Sequence, residues 1–342
     1  MLEAVGALAE AGLEQEVLAR GGDPQGPRLL EGAPATVTVA PFDRLWKGRT
    51  IAAIQRALQG FRPHVVHYWS GYAAGFAPPS SAQRSLGWYA AYEMASRFRL
   101  CAWHAGQTRD VARHIASQGV AADRIAVLAR CTRPLASPAA LERASLDTPE
   151  SAPLAFHESR FEPDCAVGSL LHALRHAPQV HAWISGDGPM LRAMRGLAGE
   201  LDLESRVRFL GARPDRAALI AASDVVIFPE PLAPLDNSVI EAWAAERPVV
   251  LCGAAGPAGP IEHERDGLLA EPDVPASLAK ALQRVLEDGD LAARLARNGR
   301  LRFEREFSQT AFTRAALALY ERIADSGAHS ASAAAAAAPG AA

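Results

Sequence analysis

Residues 223–253 read SDVVIFPEPLAPLDNSVIEAWAAERPVVLCG. Residues 225–228 are β-branched and aromatic, the composition of a buried strand. Pro229, Pro231 and Pro234 then predict a loop, because proline removes a ladder donor and fixes φ. Asn237 or Ser238 can cap a helix by accepting the free N–H groups of its first turn. Ile240, Trp243 and Ala244, three and four apart, give that helix one apolar face. Residues 248–252 supply the next buried strand. Strand, loop, helix and strand make one βαβ unit, which aims a helix N-terminus at the crevice beyond the strand ends. Such a terminus gathers unpaired N–H groups and favours anions, phosphate above all. Glu241 is expected on the first turn of this helix, facing the same crevice.

The pattern repeats on both sides. Residues 154–157, 181–185 and 207–210 read as strands, 189–201 and 215–222 as helices, and 186–188 as a glycine turn. Alternating β and α segments predict an α/β fold with a parallel, doubly wound sheet. Gly186-Asp187-Gly188 lacks the third glycine and the acidic strand end of a dinucleotide fingerprint, which argues against an NAD-type oxidoreductase. Helices follow at 275–286, 291–307 and 311–324. The Ala- and Ser-rich residues 326–342 are expected to be disordered. Residues 134–151, rich in Ser, Pro and Ala, read as a linker. The expected division is therefore an N-terminal domain over 1–135, a linker over 136–152, a C-terminal domain over 153–325, and a tail over 326–342.

In the first half, residues 2–18 carry the apolar spacing of an amphipathic helix. Residues 37–40 and 65–69 read as strands separated by a helix over 50–58. His67 lies at the end of the second strand, where α/β sheets place ligands. A ligand contact and a hydrogen-bonded core histidine both remain open there. Residues 84–133 hold eight Arg against three acids, interleaved with Trp88, Tyr89, Tyr92, Phe98 and Trp103. That mixture suits either a membrane surface or a solvated arginine face over core aromatics.

The chain has 342 residues, enough for two domains with separate cores. Its net charge of −3 predicts no nucleic-acid partner. The first 150 residues are slightly cationic and the remainder acidic. Cys101, Cys131, Cys165 and Cys252 show no paired spacing, so neither a disulfide framework nor a zinc site is expected, and a reducing cytosol fits. No apolar run reaches the roughly 18 residues of a membrane span, and no basic segment precedes an apolar leader.

These motifs resemble glycosyltransferase family 4, retaining, nucleotide-sugar-dependent enzymes of the GT-B fold. EAWAA at 241–245 with Pro248, Val249 and Val250 is similar to the family's second-Glu segment. Ala233 stands where the family has its first Glu, and Asp236 where it has a loop glycine. GQTRDVARHIASQGVAADRIAVL at 106–128 resembles the segment that closes the family's N-terminal domain. SRFEPDC at 159–165 resembles G-R-x-x-x-x-K, with Arg160 retained and Cys165 in place of the Lys. Leu86-Gly87 stands where the family often has a histidine-glycine pair. Members usually begin with a strand and a glycine turn, whereas Met1 leads directly into the expected helix.

The resemblance implies two Rossmann-like domains facing a cleft and a nucleotide-sugar as substrate, with no metal or other cofactor. Arg160 would grip the donor diphosphate and Glu241 the ribose hydroxyls. The backbone at Leu235, Asp236, Asn237 and Ser238 would meet phosphate, Gly186 and Gly188 would shape the donor loop, and the turn of Gly211 and Arg213 would meet the base. The acceptor would be a cell-envelope glycan or a lipid-linked sugar. The protein would be cytoplasmic, with a peripheral inner-membrane contact through residues 84–133. The losses at Ala233, Cys165 and Asp236 leave two readings. One is an active transferase with a rewired donor site. The other is a GT-B scaffold that binds a nucleotide or a partner without turnover.

Overall fold

The computed structural model describes residues 1–21, 34–43, 45, 47–132, 141–231, 237–253 and 261–337. The chain divides into two compact units, residues 1–132 with 307–342, and residues 133–306.

Unit 1 runs through α1 (Leu2–Glu10), β1 (Glu16–Arg20), β2 (Thr36–Ala40), α2 (Lys47–Phe61), β3 (Val66–Tyr68), α3 (Gly71–Ala74), β4 (Ser85–Tyr89), β5 (Trp103–Gly106), α4 (Arg109–Ser117) and β6 (Ile125–Val127). β1 pairs with β2, and β3 to β6 form a second parallel sheet in chain order. The helix expected over 2–18 stops at Glu10. Gly12 there takes a φ of +84°, a left-handed turn that ends a helix at little cost to glycine, and residues 16–20 join the sheet instead. The Thr108 side chain caps α4 by accepting the Val111 N–H.

β4 and β5 escaped the sequence reading. SLGWY and WHAG are buried at every position, so they carry no alternation. Of the five aromatics in the basic segment, Trp88, Tyr89, Phe98 and Trp103 are buried and Tyr92 is exposed. Arg124 and Arg322 lie over the Trp103 ring and Arg130 over Trp88. Most of those aromatics therefore belong to a core roofed by cations.

Unit 2 runs through β7 (Leu154–Glu158), α5 (Val167–Arg175), β8 (His181–Ser185), α6 (Leu191–Glu200), β9 (Val207–Gly211), α7 (Arg216–Ala222), β10 (Val225–Pro231), α8 (Asn237–Ala244), β11 (Val249–Cys252), β12 (Leu268–Ala270), α9 (Pro275–Glu287) and α10 (Gly289–Arg302). Its six strands are parallel in the order β12-β11-β10-β7-β8-β9. β10 continues through Pro229 to Pro231, where a loop was expected. Its register against β11 slips between Phe228 and Pro231, and a bulge tolerates a residue with no N–H to give. The chain leaves β7 to one side for β8 and β9, then to the other for β10. The switch point, where such sheets take ligands, lies between β7 and β10.

Leu170, Leu171 and Leu174 of α5 share one core cluster with Leu278, Leu282 and Val285 of α9 and with Ala155, Ile184, Ile227 and Val250 of the sheet. The buried Trp243 donates its indole N–H to the Asp266 carbonyl (2.8 Å), and Asp266 pairs with Arg302 at 2.7 Å. Part of the expected linker is folded onto this unit. Arg143 donates to the carbonyls of Ala222 (3.0 Å) and Ala152 (2.8 Å) and to Asp224 Oδ1 (2.8 Å).

After a π-helical turn at Phe303–Phe307, the chain forms α11 (Gln309–Ala337). Phe312, Ala316, Leu319 and Ile323 pack with Ala4, Leu8, Trp88 and Trp103. Residues 307–325, expected in the C-terminal domain, thus belong to unit 1, because their apolar face is buried there. The backbone stays helical to Ala337, where disorder was expected from 326, in keeping with alanine's high helix propensity.

Candidate functional site

The residues singled out in unit 2 converge on the C-terminal ends of its strands. Glu158 ends β7. Arg216, the first residue of α7, donates to Glu158 Oε2 (2.8 Å) and to Glu241 Oε1 (2.5 Å). Ser238 Oγ lies 3.5 Å from Glu158 Oε2. Glu241 sits one turn deeper than expected, because α8 begins at Asn237. Its side chain is only 9% exposed. A buried carboxylate needs a charged or hydrogen-bonding partner, and Arg216 supplies it. The sequence reading missed Arg216, whose only signal was its place at a helix start after Pro214 and Asp215.

The glycines build the floor of this edge. Gly186 and Gly188 have φ of +115° and +153°. A Cβ on Gly186 would lie 1.8 Å from the Ser159 carbonyl oxygen, and one on Gly188 2.1 Å from that of Arg160. The loop after β8 is thus laid directly on the segment after β7. The Ser159 N–H donates to Ser185 O (2.9 Å), the Gly186 N–H to Gly211 O (2.8 Å), and the Met190 N–H to Phe161 O (2.8 Å). This backbone mesh fixes where Arg160 stands. Its side chain is exposed and has no hydrogen bond or ion pair among the described residues. Arg213 is engaged, by contrast, with Nε and Nη2 both donating to the Asp215 carboxylate. That hydrogen bond holds the Asp215 carboxyl below the usual carboxylate range. Gly211 takes a φ of +71° with open space where a Cβ would be.

Four buried polar atoms at the same edge have no hydrogen-bond partner among the described residues: His157 Nε2, Ser185 Oγ, Glu230 Oε2 and Asn237 Oδ1. They belong to the ends of β7, β8 and β10 and to the first residue of α8. His157 uses its other nitrogen, Nδ1, on the Ile227 carbonyl (3.0 Å), where β7 and β10 part. Each unmet buried group costs about 1–3 kcal/mol. Such a group calls for an explanation, and a bound ligand is one. Cys165 packs half-buried against the core of unit 2. Ala233, Leu235 and Asp236 lie outside the described residues.

His67 belongs to unit 1. It stacks on Trp69 at 4.0 Å between ring centroids, and its Nδ1 lies 2.7 Å from the Tyr320 hydroxyl. Of the two readings left open, the contacts are those of a core histidine. The residue is half-buried, but its Nε2 is fully shielded, and burial pushes its pKa down to about 3. The folded state then keeps the ring neutral while the unfolded chain protonates below about 6.5. The unfolded state binds more protons, so stability falls as the pH drops from about 6.5 towards 3, by at most about 1.4 kcal/mol per unit. His67→Phe is expected to flatten the melting temperature between pH 7.5 and 5. Identical slopes in parent and variant would refute the assignment.

Residues 158–288 match the family model described as glycosyl transferases group 1. Over 319 residues the chain is 30% identical to the lipopolysaccharide core biosynthesis glycosyltransferase LpsE of Rhizobium meliloti (strain 1021), covering 92% of each chain. It is 29% identical over 334 residues to LpsD of the same organism, covering 93% of this chain and 92% of that one. This chain belongs to the group 1 glycosyltransferase family. HepE of Anabaena, solved in complex with UDP, superposes with a TM-score of 0.77 at 18% identity, over 94% of this chain and 96% of that one. The two units are those of the GT-B fold. In this group 1 glycosyltransferase the matched segment opens at Glu158 and takes in Arg160, Arg216 and Glu241, with His157 one residue before it.

Proposed function

We propose that this glycosyltransferase moves a sugar from a nucleotide-sugar to a lipopolysaccharide-core or related cell-envelope glycan, with retention at the anomeric carbon, as in glycosyltransferase family 4. The bond from the anomeric carbon to the diphosphate oxygen breaks, and the diphosphate leaves with the electron pair. A bond forms from that carbon to an acceptor hydroxyl oxygen, which gives up its proton. The observation that carries the reading is the set of unmet buried polar atoms beside the exposed Arg160 and the buried Glu241, all at one strand-end edge. The names of the two Rhizobium relatives support the acceptor class, and HepE, of the same fold, is itself solved with UDP. Glu241, oriented by Arg216, would accept the ribose hydroxyls. Arg160 and the start of α8 would meet the diphosphate, and no metal is needed for that charge.

Titration calorimetry with UDP, GDP and ADP tests the donor site. One nucleotide is expected to saturate, and Glu241→Ala to weaken it at least tenfold, about 1.4 kcal/mol. Glu241→Gln, which keeps the side chain's bulk, is expected to fall between. Equal affinity in all three proteins would sink the ribose assignment. Cys165 favours a second reading, because the family's cation at that position has become a side chain packed on the core. Nucleotide binding without donor hydrolysis or sugar transfer would decide for that reading, a nucleotide-binding protein that does not turn over.

A further inference from the structure

Glu158 ends β7 after four buried residues, and its backbone is in register with Ser185 of β8. The next residue, Ser159, donates its N–H to Ser185 O (2.9 Å), and Gly186 lies directly on the Ser159 carbonyl. Glu158 therefore projects from backbone that is held on two sides. Its carboxylate reaches two other elements. Oε2 accepts from Arg216 Nη1 at 2.8 Å and lies 3.5 Å from Ser238 Oγ. Arg216, which opens α7, gives its other terminal nitrogen, Nη2, to Glu241 Oε1 (2.5 Å). Ser238 and Glu241 stand three residues apart on α8 and so share one face of that helix. One carboxylate on the sheet thus meets α8 at Ser238, and meets it again a turn later through a guanidinium.

Exposure is graded across these groups. The side chains of Glu158 and Arg216 keep 30% and 31% of their surface open, against 9% for Glu241. An ion pair as open as that of Glu158 with Arg216 adds little to the stability of a fold. What it supplies is orientation. A guanidinium is a rigid, planar fork, and charge-assisted bonds at both of its ends fix the plane as well as the position. Glu158 takes one end and Glu241 the other. The end that meets Glu241 is therefore aimed from the sheet, and Glu241 is aimed with it.

We propose that Glu158 is a positioning residue of the nucleotide site: it holds Arg216 in the plane from which the guanidinium presents Glu241 to the ligand, and does not touch the ligand itself. The proposal rests on the reading of Glu241 given above and adds the group that aims it. Because Glu158 acts through Glu241, its effect on affinity exists only while Glu241 is present.

The test uses the full chain and whichever of UDP, GDP and ADP saturates the parent in calorimetry. Glu158→Ala is expected to weaken that nucleotide by about fivefold or more. Its melting temperature should stay within about 2 °C of the parent's. Glu158→Gln, whose amide oxygen still accepts from Arg216 Nη1, should recover most of the affinity. In a Glu241→Ala background the further change Glu158→Ala should alter affinity by no more than about twofold. Equal affinity in parent and Glu158→Ala would overturn the proposal. So would losses that multiply in the double variant, which would place Glu158 on the ligand, and so would a Gln variant as weak as the Ala variant. Crystal structures of the parent and of Glu158→Ala, both without nucleotide, give a second readout. In the variant the guanidinium of Arg216 is expected to turn and Glu241 to leave its place, and an unmoved pair would overturn the proposal. A parent that binds none of the three nucleotides would fail the donor reading, while the two crystal structures still decide whether Glu158 aims Glu241.

Discussion

Arg160→Ala is expected to lower the rate of sugar transfer by about 10²–10³, the usual effect of removing one electrostatic contact to a developing charge. The leaving diphosphate gains negative charge as the glycosidic bond stretches. Cys165 brings no charge to the position where the resembled family has a second cation, so Arg160 bears more of that load. The fold itself should hardly respond. The guanidinium is exposed and has no partner among the described residues, and such surface changes usually fall within about 0.5 kcal/mol. Arg160→Lys should recover part of the rate, since charge returns without the planar fork. Donor hydrolysis and transfer kinetics, followed beside the melting temperature, separate the two effects. A variant within threefold of the parent rate would remove Arg160 from the site.

Gly186→Ala is expected to destabilise unit 2 by about 4 kcal/mol or more, in the range that only a few named mechanisms reach. Two of them act together here. The backbone has a φ of +115°, and the new Cβ would fall 1.8 Å from the Ser159 carbonyl oxygen, a backbone atom that no rotamer change can move. Relief requires the loop after β8 to lift from the segment after β7, which carries Arg160. Nucleotide binding should therefore fail together with stability. Gly196→Ala is the matching control. It lies within α6, where apart from its chain neighbours and the helix's own backbone no atom of the described residues comes within 4 Å of its Cβ position, and alanine there should stabilise by up to about 1 kcal/mol. Thermal unfolding of both variants gives the comparison. A Gly186 variant as stable as the control would mean that the two loops are not in contact.

The sequence determined the βα periodicity of residues 154–252, because buried parallel strands are continuous apolar runs and their helices are amphipathic at a fixed spacing. It also determined that Glu241 and Arg160 stand near strand ends, since chain order alone puts loops there. Residues 16–18, the start of β1, were read as the end of a helix because apolar spacing over so short a stretch fits both periods, and Gly12 was the signal against it. β4 and β5 were missed because a strand buried on both faces shows no alternation, and SLGWY and WHAG also lack a β-branched run. The tertiary structure alone decided which side chains meet. Arg216 reaches Glu158 and Glu241 from 58 and 25 residues away, and Tyr320 reaches His67 from 253 residues away. The same holds for Gly186 and Gly188, whose meaning lies in carbonyl oxygens more than 25 residues upstream. The affiliation of α11 with unit 1 was likewise invisible in its own sequence. An amphipathic helix states that one face must be buried, and only the packed chain states against what.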